Sequence, residues 1–184
     1  METRMNPYES PRSAPPQSFG SIWVSSVEHL AVFQQAYERT SFVNRHLVGA
    51  YDLPEGFPFI RTFFGLPWRA PLVFFAHGAL EIEPNELQFR STPLSLPMNF
   101  LYNIDKRLAF SIDSREIVAV EPYEFKSPVT DFFDIVFARV RTARADSRLS
   151  DVLLSLATKV PRMKTLRARN LELLDVVSQN LMPR

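Results

Sequence analysis

Residues 72–89 read LVFFAHGALEIEPNELQF, and their alternation decides the fold class. Leu72, Phe74, Ala76, Gly78, Leu80 and Ile82 are apolar or small, whereas the intervening positions end in His77, Glu81 and Glu83. Successive strand side chains point to opposite faces, so this period of two predicts a half-buried β-strand. Glu83-Pro84-Asn85-Glu86 has the composition of a turn, with proline where φ must lie near −65°. Leu87 and Phe89 then resume the apolar side and Glu86, Gln88 and Arg90 the polar one, which predicts a hairpin with a type I connection.

Downstream, Phe100, Tyr102 and Ile104 share one face. Leu108, Phe110 and Ile112 follow beyond a turn at Asp105-Lys106-Arg107; Ile117 to Val120 is a short buried run, and Phe132 to Val140 alternates loosely. Short strands at such spacing indicate an antiparallel barrel or sandwich. The period then turns helical. Leu149, Val152, Leu153, Leu156, Ala157 and Val160 form one apolar stripe, capped by Asp146 or Ser147 and stopped by Pro161. A last amphipathic helix is expected over 162–181.

Upstream, Ser25-Ser26-Val27-Glu28 has the spacing of a capping box, predicting a helix over 25–38 that resumes toward Val48 and ends at Gly49. Residues 51–70 interleave Pro54, Gly56, Pro58, Gly65 and Pro67 with aromatics, an aromatic connector lying on the core. Residues 1–19 carry four prolines among Ser, Arg and Glu and read as a disordered tail. The expected organisation is therefore a tail (1–19), a helix and aromatic connector (20–70), a β-barrel with its capping helix (71–160) and a basic C-terminal helix (161–184).

This α+β pattern, an antiparallel β-barrel or sandwich closed by an amphipathic helix with an N-terminal helix and an extra C-terminal helix, resembles the pleckstrin-homology superfold. It looks most like the divergent bacterial pleckstrin-homology-like and GRAM-like modules. Gly78–Ile82 with Leu87-Gln88-Phe89, Leu108–Ile112 leading to Ile117–Val120, and Leu149–Val160 carry the likeness. It implies an interaction module that binds a protein partner or self-associates. Phosphoinositide-binding members place Lys and Arg around the first hairpin turn. Here that hairpin carries Glu81, Glu83 and Glu86 with Arg90 the one cation close by, so no phosphoinositide site is expected there. The tryptophan typical of the closing helix is absent too.

Composition narrows the chemistry. The 184 residues contain no cysteine, which excludes disulfides, thiol catalysis and Cys-ligated metals, and five glycines supply neither a dinucleotide-binding loop nor a P-loop. There is no G-x-S-x-G elbow or HExxH pair. His77 shares a strand face with Glu81 and Glu83, but such residues are spread along the strand axis and read as a solvated face, not a metal site. Asp131 and Asp134 would point to opposite faces. A non-enzymatic protein without cofactor or metal is therefore expected. No apolar stretch has the length of a secretory signal or a membrane span, so the chain reads as soluble and cytoplasmic.

The net charge of +1 hides an asymmetry: from Arg139 onward ten Lys or Arg face four acids, while residues 1–138 hold 11 basic and 16 acidic groups. Arg139, Arg141, Arg144, Arg162, Lys164, Arg167 and Arg169 are accordingly the candidate partner- or anion-binding residues, with an anionic membrane or nucleic acid as the alternative partner. Phe57, Phe59, Phe63, Phe64 and Trp68 are candidates for lining a small apolar-ligand pocket.

Overall fold

The computed structural model describes residues 16–41, 54, 74–92, 105–126, 134–146, 148–156 and 163–182. The strands are β1 (Gln17–Ser26), β2 (Ala76–Glu83), β3 (Glu86–Ser91), β4 (Ala109–Asp113), β5 (Ile117–Lys126), β6 (Asp134–Thr142) and β7 (Asp151–Leu156); the helices are α1 (Val27–Arg39) and α2 (Met163–Leu181). All seven strands form one antiparallel sheet in the order β4-β3-β2-β1-β7-β6-β5.

That order forces the sheet to curl. β4 and β5 are its two edges, yet only the 3-10 turn Ser114–Glu116 separates them in the chain. Seven flat strands would hold the edges about 29 Å apart, while the linker from Asp113 to Ile117 reaches at most about 14 Å. The edges therefore meet at this end, and the sheet is a half-barrel. Arg144, just past β6, fastens the corner: its Nε and Nη2 donate to the Glu116 carboxylate at 3.0 and 2.7 Å, and Nη2 also to the Ser111 carbonyl at 2.6 Å.

Two apolar cores follow from the alternation. On the inner face Ile22, Val24, Leu80, Ile82, Leu87, Phe89, Ile112, Val140, Val152 and Leu154 are buried with Leu173, Val177 and Leu181 of α2. On the outer face Phe125, Ile135, Phe137 and Leu153 are buried with Leu30, Phe33 and Tyr37 of α1. The 72–89 hairpin forms as its pattern requires, with Glu83 opposite Glu86 and Leu80 opposite Phe89.

Several expectations are corrected. Within the helix expected over 149–160, residues 151–156 are strand β7, lying between β1 and β6, and 157–160 lie outside the described residues. β7 is covered on both faces, so Val152, Leu153 and Leu154 are all buried, while Val152, Leu153 and Leu156 match a helical stripe by coincidence of spacing. The helix that closes the inner face is α2, expected only as an extra. The tail does not extend to 19, since β1 starts at Gln17. A bulge between Phe19 and Ile22 shifts its buried set from odd to even positions, so period two fails across it. The α1 cap is Ser26, not Ser25; its Oγ accepts the His29 N–H at 3.1 Å. The run at 117–120 is neither short nor buried: β5 continues through Pro122 to Lys126, and Val118 is 57% exposed. The strand expected around Phe100–Ile104, the extension of α1 toward Val48, most of the 51–70 connector and Asp131 lie outside the described residues.

Candidate functional site

The half-barrel leaves two strand edges, and they differ. β4 has five residues, whereas β5 has ten and, among the described residues, pairs only with β6. An edge strand presents a row of backbone N–H and C=O groups to whatever lies beside it. Pro122 marks this position, because a residue without an N–H is tolerated in a sheet only at an edge, a first residue or a bulge. It is the sequence signal that could have located the edge. Val118 and Leu171 of α2 are the exposed large hydrophobic residues among those described.

Four of the candidate basic residues, Arg139, Arg141, Arg144 and Arg167, have their charges already engaged. Arg139, on β6 opposite Glu121, donates from Nε and Nη2 to the Asp151 carboxylate at 2.5 and 2.7 Å and from Nη1 to Glu121 at 3.0 Å. Its guanidinium also lies 5.4 Å from the Tyr123 ring centre. Hydrogen bonding to Asp151, partly opposed by desolvation, raises its pKa above the ordinary arginine value. Arg141 Nε comes within 3.3 Å of Glu121 without the geometry of a hydrogen bond. Arg144 holds Glu116, and Arg167 of α2 donates to Glu124 of β5 at 2.6 Å. Arg169 is exposed. Arg162 and the Lys164 side chain lie outside the described residues, as do Phe57, Phe59, Phe63, Phe64 and Trp68.

The asymmetry in the charge count thus becomes a set of internal contacts. Arg139, Arg144 and Arg167 bind carboxylates at positions 116–151, most of them in the acidic first part of the chain, so they tie β6 and α2 to β5 and the barrel corner. On the first hairpin, Glu86 accepts hydrogen bonds from Ser111 Oγ and from Gln88 Nε2 (2.8 Å), and these bonds hold its carboxyl below the usual glutamate range. Among the described residues no three His, Cys, Asp or Glu side chains could hold a metal ion together. His77 shares the outer face with Glu81, but its Nε2 pairs with Ser21 Oγ at 2.9 Å and its ring stands 4.7 Å from that of Trp23. The Ser21–His77 pair joins residues 56 apart in the chain, and no local motif announces it.

No helix among the described residues is long and apolar enough to cross a membrane. No family model, no curated protein and no solved structure matches the chain.

Proposed function

We propose that this chain is an interaction module, similar to the pleckstrin-homology-like modules, that takes an extended protein segment along the edge of β5. The observation that carries this reading is the ten-residue edge strand with a single strand neighbour among the described residues and an exposed valine on it. Main-chain hydrogen bonds to an added strand supply affinity in this mode, and side chains on alternate positions supply selectivity. The seven-strand order with β1 beside β7, and a C-terminal helix against the inner face, support the likeness, with α2 in the role first expected of residues 149–160.

The internal pairing of Arg139, Arg144 and Arg167 favours a protein segment over an anionic membrane or a nucleic acid, because those guanidiniums would have to abandon carboxylates first. Amide hydrogen exchange of the monomeric protein is the test. Outward-facing amides of Ile117–Lys126 exchange far faster than those of central β7; protection equal to β7 throughout β5 would show the edge already covered and sink the reading. Light scattering identifies one occupant directly. A dimer that becomes monomeric in Val118→Lys, with unchanged thermal stability, makes the segment a second copy of this chain.

A further inference from the structure

The outer face of β2, β3 and β4 holds a groove of about 510 Å³ lined by Ala79, Glu81, Gln88, Arg90, Thr92 and Ser111 among others. Strand register explains its shape. Arg90 is flanked by Ala79 on one side and Ala109 on the other, so a long cationic side chain stands between two short ones. Arg90 has no carboxylate partner among the described residues. One end of the groove is Thr92, whose N–H donates to the His77 carbonyl at 3.0 Å. His77 is two residues from Ala79 on the same strand face, about 7 Å along the strand.

At that end Ser21 Oγ and His77 Nε2 are 2.9 Å apart, within the range required of a nucleophile and its base. The β1 bulge places Ser21: neither Gly20 nor Ser21 has a register partner on β2 or β7, and the Ser21 residue is exposed. A carbon built on Gly20 would meet nothing within 4 Å, so there is room above the bulge for a reacting group. The imidazole behind the hydroxyl is only 8% exposed and is held against Trp23, and its Nδ1 has no hydrogen-bond partner.

We propose that Ser21 is a nucleophile activated by His77, and that the groove leading to this pair seats an acyl donor whose carboxylate lies over Arg90. In the step, Ser21 Oγ forms a bond to the acyl carbon of an activated ester while its proton passes to His77 Nε2. The ester C–O bond breaks, its electron pair leaves with the alkoxide or phenolate, and the imidazolium returns the proton to the leaving oxygen or to water. The products are O-acyl Ser21 and the free alcohol, or its anion where water takes the proton, with the ring neutral again. Ser21 and His77 lie on β1 and β2, inside the sheet order and apart from the β5 edge.

The experiment treats the full chain with 4-nitrophenyl acetate and with the mono-4-nitrophenyl ester of succinic acid, following nitrophenolate release and locating the acyl group by peptide mass. One acyl group is expected on Ser21, none in Ser21→Ala, and a rate at least about a hundredfold lower in His77→Gln. Arg90→Gln lowers the succinyl rate about tenfold relative to the acetyl rate. Wild-type protein supplies a control that needs no folded His77 variant. Burial lowers the His77 pKa from its ordinary value of 6.5, the Thr92 backbone partly opposing, and no charged side chain contributes. The acylation rate is therefore flat above neutrality, whereas an unassisted hydroxyl accelerates steadily into the alkaline range. Absence of label on Ser21, or a rate that climbs without a plateau, overturns the nucleophile. A succinyl-to-acetyl ratio unchanged in Arg90→Gln overturns the seat.

Discussion

Asn170 stands in for the β6 neighbour of Leu156, whose other side pairs with Ile22 of β1. Its Oδ1 accepts the Leu156 N–H at 2.9 Å, while its Nδ2 donates to the Val136 carbonyl at 2.7 Å and to Ser155 Oγ at 2.9 Å. The β6–β7 pairing runs to Ala138 opposite Leu154; two residues further Val136 and Leu156 would face each other. The carboxamide bridges those two backbone groups from α2. It is 1% exposed, so water does not satisfy them if it is removed.

Asn170→Ala therefore leaves a buried donor and a buried acceptor unpaired, a loss of about 2–4 kcal/mol. Asn170→Asp keeps the acceptor for Leu156 but turns an oxygen toward the Val136 carbonyl, and it is expected to be as damaging. Urea unfolding measures both, and a loss below about 0.5 kcal/mol for the alanine variant would show that the clamp contributes nothing beyond ordinary surface substitution.

Gly78 permits the close approach of β2 and β3. A Cβ there would lie 2.1 Å from the Arg90 carbonyl oxygen and 2.8 Å from Ser91 Cα, both backbone atoms that cannot step aside. Gly78→Ala is expected to destabilise by about 1–3 kcal/mol. Gly20→Ala, with open space around the new carbon, is expected to stay within about 0.5 kcal/mol of the parent. Equal unfolding midpoints for the two variants would refute this contrast.

The Arg139–Asp151 pair is about three-quarters buried, at 22% and 24% side-chain exposure, and doubly hydrogen-bonded. A double-mutant cycle with Arg139→Met and Asp151→Asn is expected to give a coupling of about 1–2 kcal/mol, above that of an exposed pair. Arg115–Asp113, with an arginine side chain 87% exposed, is the internal comparison and is expected to couple more weakly. The reverse order would mean that burial is not what strengthens the first pair.

The parts of this fold that were legible are those where one local rule acts alone. Leu80, Ile82, Leu87 and Phe89 alternate because β2 and β3 have one buried face each, and proline and asparagine mark the turn between them. β7 was misread because burial on both faces erases alternation, leaving length and neighbours to decide between strand and helix. β1 was missed because its bulge breaks the period in mid-strand, and that same bulge is what presents Ser21 to His77. Arg139, Arg144 and Arg167 were visible as an excess of charge, but whether they face solvent or carboxylates depends on pairings such as Arg139 with Glu121 and Arg167 with Glu124, which only the folded sheet creates.

Acid is expected to lower stability in two steps whose signs agree. Hydrogen bonds from Arg115 hold the Asp113 carboxyl at about 2, and hydrogen bonding from Arg144 holds that of Glu116 below the glutamate range, as Ser111 and Gln88 do for Glu86. A depressed carboxyl contributes stability above its unfolded pKa and loses it as pH falls through the folded one, so these groups act from about pH 4 downward. His77 acts earlier. Its folded pKa lies below 6.5, so the unfolded chain binds the extra proton first and stability declines as pH drops from 6.5 toward that lower value. Urea midpoints measured from pH 8 to pH 2.5 are expected to fall once below neutrality and more steeply below pH 4. His77→Gln removes the first decline and Glu116→Gln reduces the second. A His77→Gln profile that keeps the decline between pH 6.5 and pH 5 would assign it to another group.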